Sequence, residues 1–279
     1  MFVPLALLAL GCTSPPAQEL APSGATTGNA AVNAAPAAVA PPVWPAPGSP
    51  LRVLPAPPVV GTLLLDAGHG AAGNSGNTNW RCEAEGDAMR RITDGVADAM
   101  GNTGLAVRRT RPDGAHVAYP DRLAASRGAD WLVSLHSDSR AGSGPYVHPT
   151  TGCTVAADAA GFSVLWSDEG AAPLVARRRA FAYAVARRMI EAGFLPYPGL
   201  DYGGLYEGDV LAPGVFVDRH APAKRIMLLR RPPVPSVIVE THQAWDPADA
   251  AHWEEPATWA AFGAAVHAAI TDVVALTPK

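Results

Sequence analysis

Two histidines and a glutamate stand at or just beyond the ends of apolar runs in this chain. His69 lies in "LLLDAGHGAAGN" (63–74), His136 closes "WLVSLH" (131–136), and Glu240 closes "SVIVE" (236–240). Imidazole nitrogen and carboxylate oxygen are ligand types that zinc takes at about 2.0–2.2 Å, and a catalytic zinc site keeps one position for water. A carboxylate at the end of a run such as "SVIV" costs several kcal/mol to bury without a partner. A fourth group is needed, and two carboxylates follow His69, namely Glu83 and Glu85. Only one of them need be a ligand. Taken singly, each of these residues also suits a hydrogen-bonded structural role. Their shared setting at strand ends is what points to a common cleft.

The elements that must position them alternate. "TLLLD" (62–66) is a short apolar run, as expected of a strand buried on both faces. Ala88, Ile92, Val96 and Met100 recur every fourth position between 86 and 100, one face of a helix, with Gly104 shortly after it. "LAVRRT" (105–110) reads as a strand, "YPDRLAASRGA" (119–129) as a helix and "WLVSLHS" (131–137) as a strand. Residues 139–161 read as loop, "GFSVLWS" (161–167) as a further strand, and 172–193 as a long helix. The basic run of that helix, Arg177, Arg178, Arg179, Arg187 and Arg188, is expected to be a solvated face. Residues 194–222, rich in Gly, Pro and Tyr, read as a surface excursion. "RIMLLRR" (225–231) and "PSVIVET" (235–241) read as strands, and 256–276 as a closing helix. The pattern predicts a single α/β domain: a mostly parallel twisted sheet flanked by helices on both faces. In such a sheet, ligands bind outside the carboxyl ends of the strands, where His69, His136 and Glu240 fall.

The chain has 279 residues, 48% of them hydrophobic and 16% charged, enough to bury a sizeable core. A formal net charge of −4 gives no support for nucleic acid or an anionic membrane surface as the main partner. The opening "MFVPLALLALGC" is too short to span a bilayer and reads as an export signal over residues 1–12. Its "ALGC" resembles a lipobox, which implies lipidation of Cys12, with Ala9 and the lack of a basic start as departures from that pattern. Residues 13–60 are Ala/Pro-rich and aperiodic, and read as an extended linker, with order beginning at Gly61. Cys82 and Cys153 remain, either as a disulfide in an oxidising compartment or as two buried thiols.

The motifs "LLLDAGHGAAGNSG", "VRRTRPD", "DRLAASRGADWLVSLHSD" and "PSVIVET", in this order over residues 61–275, resemble the zinc-dependent N-acetylmuramoyl-L-alanine amidases of the type-3 family. The resemblance implies a peptidoglycan substrate, cut between muramic acid and L-alanine. It implies Zn²⁺ held by His69, an early glutamate and His136, with Glu240 as the catalytic residue. Counting back from Gly104 and Val107, as the family's first helix requires, selects Glu85 over Glu83 and leaves Ala88, Ile92 and Val96 on the core face. Arg111 and Arg122 match family positions and are read as structural. Asp66 is expected to steady the His69 turn, by analogy with carboxylates that orient ligating imidazoles. Ala67, Asp138 and "THQAWDP" (241–247) depart from the family pattern, so the groove beside Glu240 is altered while the ligand types are kept. A periplasmic location in the cell envelope follows, with Cys12 as the only membrane attachment and an activator protein as a candidate partner. Two other readings stand beside this one: a non-catalytic peptidoglycan-binding or regulatory module of the same fold, and a different zinc peptidase of the cell wall. Products of digestion separate the three.

Overall fold

Leu63, Leu64 and Leu65 are wholly buried at the centre of the molecule, on strand β1 (Gly61–Ala67). Burying such a side chain contributes about 1.5–3 kcal/mol, so this run fixes the strand in the interior. The computed structural model describes residues 50–140, 144–156, 159–199 and 204–276. Cys12 and the expected linker up to residue 49 lie outside the described residues.

Helix α1 (Glu85–Ala99) follows β1, then β2 (Leu105–Arg109), α2 (Tyr119–Ser126) and β3 (Trp131–Asp138). A small hairpin pairs β4 (Tyr146–Val147) with β5 (Thr154–Val155). Then come β6 (Ser163–Trp166), α3 (Ala172–Glu191), β7 (Tyr206–Gly208), β8 (Val215–Asp218), α4 (Met227–Arg230), β9 (Ser236–Gln243), α5 (Pro247–His252) and α6 (Pro256–Ala275). The main sheet has the order β2-β1-β3-β9-β6-β8-β7. Neighbours are parallel except β6–β9 and β7–β8. Helices α1, α3 and α6 share one core with the sheet, which includes Leu63, Leu65, Val133, Val237, Ile92, Phe181 and Phe262. On the opposite face, Leu165, Phe216, Leu229 and Ile238 form a second cluster beneath α4, and α2 packs there against β1 and α4. Helix α6 is long and apolar enough to cross a membrane by length and composition, but it packs on α1 and α3 with Phe262, Val266 and Ile270 fully buried. The α/β class and two-sided helix cover are as expected.

Four expectations need correction. The ordered part begins before Gly61: Leu54 and Val59 are buried, Arg52 N donates to Ala192 O at 3.0 Å, and Val59 N donates to Thr103 O at 3.1 Å. Residues 225–231 contain the short helix α4, not a strand. The buried Asp218 carboxylate accepts from Ile226 N at 2.8 Å and sets the turn that starts the helix; Pro232 and Pro233 follow it. The excursion 194–222 holds β7 and the fully buried β8, and loop 139–161 holds β4 and β5. The basic run of α3 is not all solvated. Arg178 is fully buried and donates to the carbonyls of Glu169, Arg230 and Pro232, while Arg187 and Arg188 pair with Asp272.

Candidate active site

β1 delivers its chain into the turn Gly68–His69–Gly70, and His69 takes the left-handed backbone conformation (φ 54°). Such a conformation is uncommon outside glycine and costs energy that the surroundings must hold. Two buried arginines hold it. Arg111 donates from one guanidinium nitrogen to the carbonyls of Gly68 (3.2 Å), His69 (3.1 Å) and Gly86 (3.0 Å). Arg122 donates to Ala67 O at 2.8 Å and also to His69 O. Position 68 must be glycine because a Cβ there would meet the His136 ring at 2.6 Å. The His69 Nδ1 faces Asn74 Oδ1 at 2.7 Å, which suits an Nδ1–H donor and leaves Nε2 as the lone-pair nitrogen. That Nε2 faces Glu85 Oε2 at 3.2 Å.

Glu85 opens α1, where acidic residues complement the helix dipole. No side chain caps this end. Instead Glu85 N donates to Asn77 O and Gly86 N to Ser75 O, both at 2.9 Å. Asn77 returns the contact, donating to Glu85 Oε2 from its backbone N (3.1 Å) and its Nδ2 (2.9 Å). Glu85 Oε1 accepts from Ser137 N at 3.1 Å and faces His136 Nδ1 at 3.1 Å. Glu83 points elsewhere, into Arg91, which also pairs with Glu254. Of the two early carboxylates, the fold brings Glu85 to both histidines.

His69, Glu85 and His136 each offer one donor atom, and these atoms lie within 4.8 Å of one another. The two imidazole rings meet edge to face at 4.8 Å. The nitrogen–oxygen separations, 3.2 Å to one Glu85 oxygen and 3.1 Å to the other, are of the size found between neighbouring ligand atoms about 2.1 Å from one ion. Burial pulls the His136 imidazole down, but the Glu85 carboxylate outweighs it and pushes it up to about 9. Burial also acts to raise Glu85, yet its hydrogen bond from His136 and the two ring charges hold it below the usual range. His69 is lowered, by burial first and then by the neighbouring His136. The carboxylate thus faces a proton-bearing His136 on one side and the lone pair of His69 Nε2 on the other, and a cation can take up a place between them. The donor set and its spacing fit a metal ion.

Glu240 pairs in register with His136, so both side chains leave the same face of the sheet. Its carboxyl is pushed up to about 8, by burial first and then by the Asp138 carboxylate, against the opposing pull of His136. Thr241 Oγ1 donates to His136 O at 2.8 Å and fixes the strand beside it. Beyond it, burial holds His242 down at about 3, stacked on Trp253 with ring centroids 6.0 Å apart.

Asp66 does not touch the His69 ring. It accepts from Thr110, Ser134 and Arg122, and reaches the turn only through Arg122. The residue beside the imidazole is Asn74, with Asn77 doing the same for Glu85. Neither carries a sequence signal beyond its small-residue loop. Cys82 and Cys153 form a disulfide, with Cα atoms 5.4 Å apart, that ties the loop leading to Glu85 to the β4–β5 hairpin. The altered residues beside Glu240 form one network. Arg140 donates to Asp138 (3.0 Å), Gly161 O (2.9 Å) and Ser163 Oγ (3.1 Å), and Gln243 Oε1 accepts from Arg140 N (3.0 Å).

Comparison with known proteins agrees with this architecture. The amidase from Clostridium difficile 630 superposes with a TM-score of 0.58 at 14% identity, covering 78% of this chain and 99% of that one. Ami1 from Mycobacterium smegmatis gives 0.58 at 19% identity, over 77% and 97%. The CwlD amidase from Clostridioides difficile, solved in complex with the GerS lipoprotein, gives 0.54 at 15% identity, over 78% and 100%. No curated protein matches by sequence. The family model described as N-acetylmuramoyl-L-alanine amidase matches residues 63–272, three-quarters of the sequence, and the chain belongs to that enzyme family.

Proposed function

We propose that this protein hydrolyses the amide between N-acetylmuramic acid and L-alanine in peptidoglycan, with Zn²⁺ held by His69, Glu85 and His136 and with Glu240 as the proton-transfer residue. One observation carries the reading: three donor groups from β1, α1 and β3 converge, and Glu240 stands in register beside one of them. Two imidazoles and a carboxylate suit zinc among the divalent ions. Bound there, zinc supplies a Lewis acid that polarises the amide carbonyl and makes water acidic enough to react near neutral pH.

The chain's own groups do the rest. Asn74 and Asn77 hold His69 and Glu85 in their orientations. Glu240 accepts a proton from the attacking water and passes it to the leaving nitrogen of L-alanine. The C–O bond forms, the C–N bond breaks, and the products are a lactyl carboxylate and a free amine. Burial and the Asp138 carboxylate raise the Glu240 pKa, which strengthens its carboxylate as the acceptor of that proton. Localisation on the periplasmic side of the envelope, lipid attachment through Cys12, and an activator partner belong to the same proposal. The GerS lipoprotein bound to CwlD is the precedent for such a partner.

The test is Glu240→Ala assayed on purified peptidoglycan with mass spectrometry of the products. Wild type should release peptides with a free L-alanine amine and leave the glycan intact. The variant should keep its metal and lose about 10²–10⁴-fold in rate. Full activity in the variant, or cleavage at another bond by wild type, overturns the assignment. A binding module would release nothing.

A further inference from the structure

Two residues at the start of α2 reach the His69 turn from one helix face. Tyr119 and Arg122 are three positions apart, and the Arg122 guanidinium lies over the Tyr119 ring, 4.9 Å from its centroid. Arg122 takes the backbone of the turn, donating to the carbonyls of Ala67 and His69. Tyr119 takes the side chain beside it: Asn74 Nδ2 donates to the Tyr119 hydroxyl at 3.1 Å. Asn74 stands exposed in a small-residue loop. Its backbone is pinned, with Gly70 N donating to Asn74 O at 2.8 Å and Asn74 N to Ala71 O at 2.9 Å. Its Oδ1 faces His69 Nδ1 at 2.7 Å and accepts from Gly76 N at 3.3 Å. A backbone N–H only donates and an amide oxygen only accepts. The Gly76 contact therefore marks the oxygen end of the Asn74 amide, and the proton between Asn74 and His69 belongs on Nδ1. That contact is at the long end of the hydrogen-bond range. At the nitrogen end, the Tyr119 hydroxyl is the one side-chain partner among the described residues.

We propose that Tyr119 is a positioning residue for the metal group: by holding the Asn74 amide, it keeps the His69 ring in the tautomer whose Nε2 is free to bind the ion. The inference rests on the metal reading above and extends it to a residue outside the ligands and their direct partners. An exposed Asn side chain loses rotamer freedom when it is ordered, and that cost weakens its contact with His69 unless another group shares it. Tyr119 is half-buried and its ring lies under Arg122, so its hydroxyl is presented in a fixed place. A ligating imidazole depends on the partner at its other nitrogen for tautomer and orientation. With Nδ1–H directed at Asn74, the Nε2 lone pair faces Glu85 Oε2, 3.2 Å away, where the three donor groups meet. Helix α2 thus grips one ligand twice, through its carbonyl from Arg122 and through its ring from Tyr119.

The experiment compares wild type, Tyr119→Phe, Asn74→Ala and the double variant in the full chain, by two readouts. Phenylalanine keeps the ring beneath Arg122 and removes only the hydroxyl. The first readout is zinc affinity, by competition with a chromophoric chelator. Tyr119→Phe is predicted to raise the zinc Kd about tenfold in the wild-type background. In the Asn74→Ala background the same change should raise it by about twofold at most, because the hydroxyl acts through Asn74. The second readout needs no metal: the imidazole nitrogen NMR shifts of His69 in zinc-free protein. There the ratio of Nδ1–H to Nε2–H forms is predicted to fall about threefold in Tyr119→Phe. An unchanged zinc Kd in Tyr119→Phe overturns the inference. So does an equal loss of affinity in both backgrounds, which is the signature of a packing role. If wild type binds no zinc, the metal reading fails instead, and the tautomer ratio still decides the role of Tyr119.

Discussion

The β1, β3 and β9 strands run Thr-Leu-Leu-Leu, Trp-Leu-Val-Ser-Leu and Ser-Val-Ile-Val before their first site or supporting residue, whereas β6, β8 and β7 have four, four and three residues. The first group sits in the parallel half of the sheet and is held by apolar burial on both faces. The second lies beyond the antiparallel β9–β6 pair; β6 and β8 are buried too, and the segments joining the short strands are held by arginines reaching backbone carbonyls. Arg140 binds Gly161 O, Arg178 binds three carbonyls, and Arg225 donates to His220 O. The parallel half therefore carries the proposed metal group and Glu240 on an apolar support. In the mixed half a few buried polar groups set the course of the joining segments. Such a division lets those segments change without disturbing the proposed metal group.

Perturbing each half should give different signatures. The largest effect is expected from Arg122→Ala in the parallel half. It leaves the fully buried Asp66 without its cation and frees the carbonyls under His69, so denaturant unfolding should show a loss of about 3–5 kcal/mol together with weaker metal binding. Next is the covalent bridge between the regions. Cys82 and Cys153 are 71 residues apart, and replacing both by serine, or reducing the protein, should lower stability by about 2–4 kcal/mol. A change in melting temperature on adding reductant to wild type, absent in the double variant, checks it. Arg140→Ala in the mixed half should cost about 2–3 kcal/mol and reduce activity on long-stem substrates while metal content stays at the wild-type level.

The effect that is smallest near neutrality is a pH dependence, and it grows as acid is added. His242 is neutral when folded and titrates at about 3, against about 6.5 in an unfolded chain. Its folded pKa is depressed, so as pH falls below about 6.5 the unfolded chain takes up a proton that the folded one does not. Stability is then lost at up to roughly 1.4 kcal/mol per pH unit until about pH 3. His242→Phe keeps a ring against Trp253 and should flatten that acid limb in melting curves recorded from pH 7 to pH 4.

What could be read from the sequence follows the same division. The long apolar runs of β1, β3 and β9 and the four-residue periodicity of α1 are strong local signals, and they carried His69, His136 and Glu240 to strand ends. Glu85 needed the family register, because Glu83 is chemically equivalent and only its pairing with Arg91 removes it. β7 and β8 were hidden because three- and four-residue strands inside a Gly/Pro-rich segment have too few positions to show a period. "RIMLLRR" has the composition of a strand, and its helix comes from the tertiary contact of Ile226 N with Asp218. Arg178 reads as surface because a buried arginine satisfied by carbonyls has no partner visible in sequence. Asn74 and Asn77 carry no sequence signal for the same reason, since their role lies in contacts across the His69 loop.

The most direct test is metal stoichiometry. Purified wild type, dialysed against trace zinc, should hold one zinc per chain by mass spectrometry of the metal, and His69→Ala, Glu85→Ala and His136→Ala should each lose most of it while Glu83→Ala retains it. Full zinc retention in the Glu85 variant, or its loss in the Glu83 variant, would contradict the account.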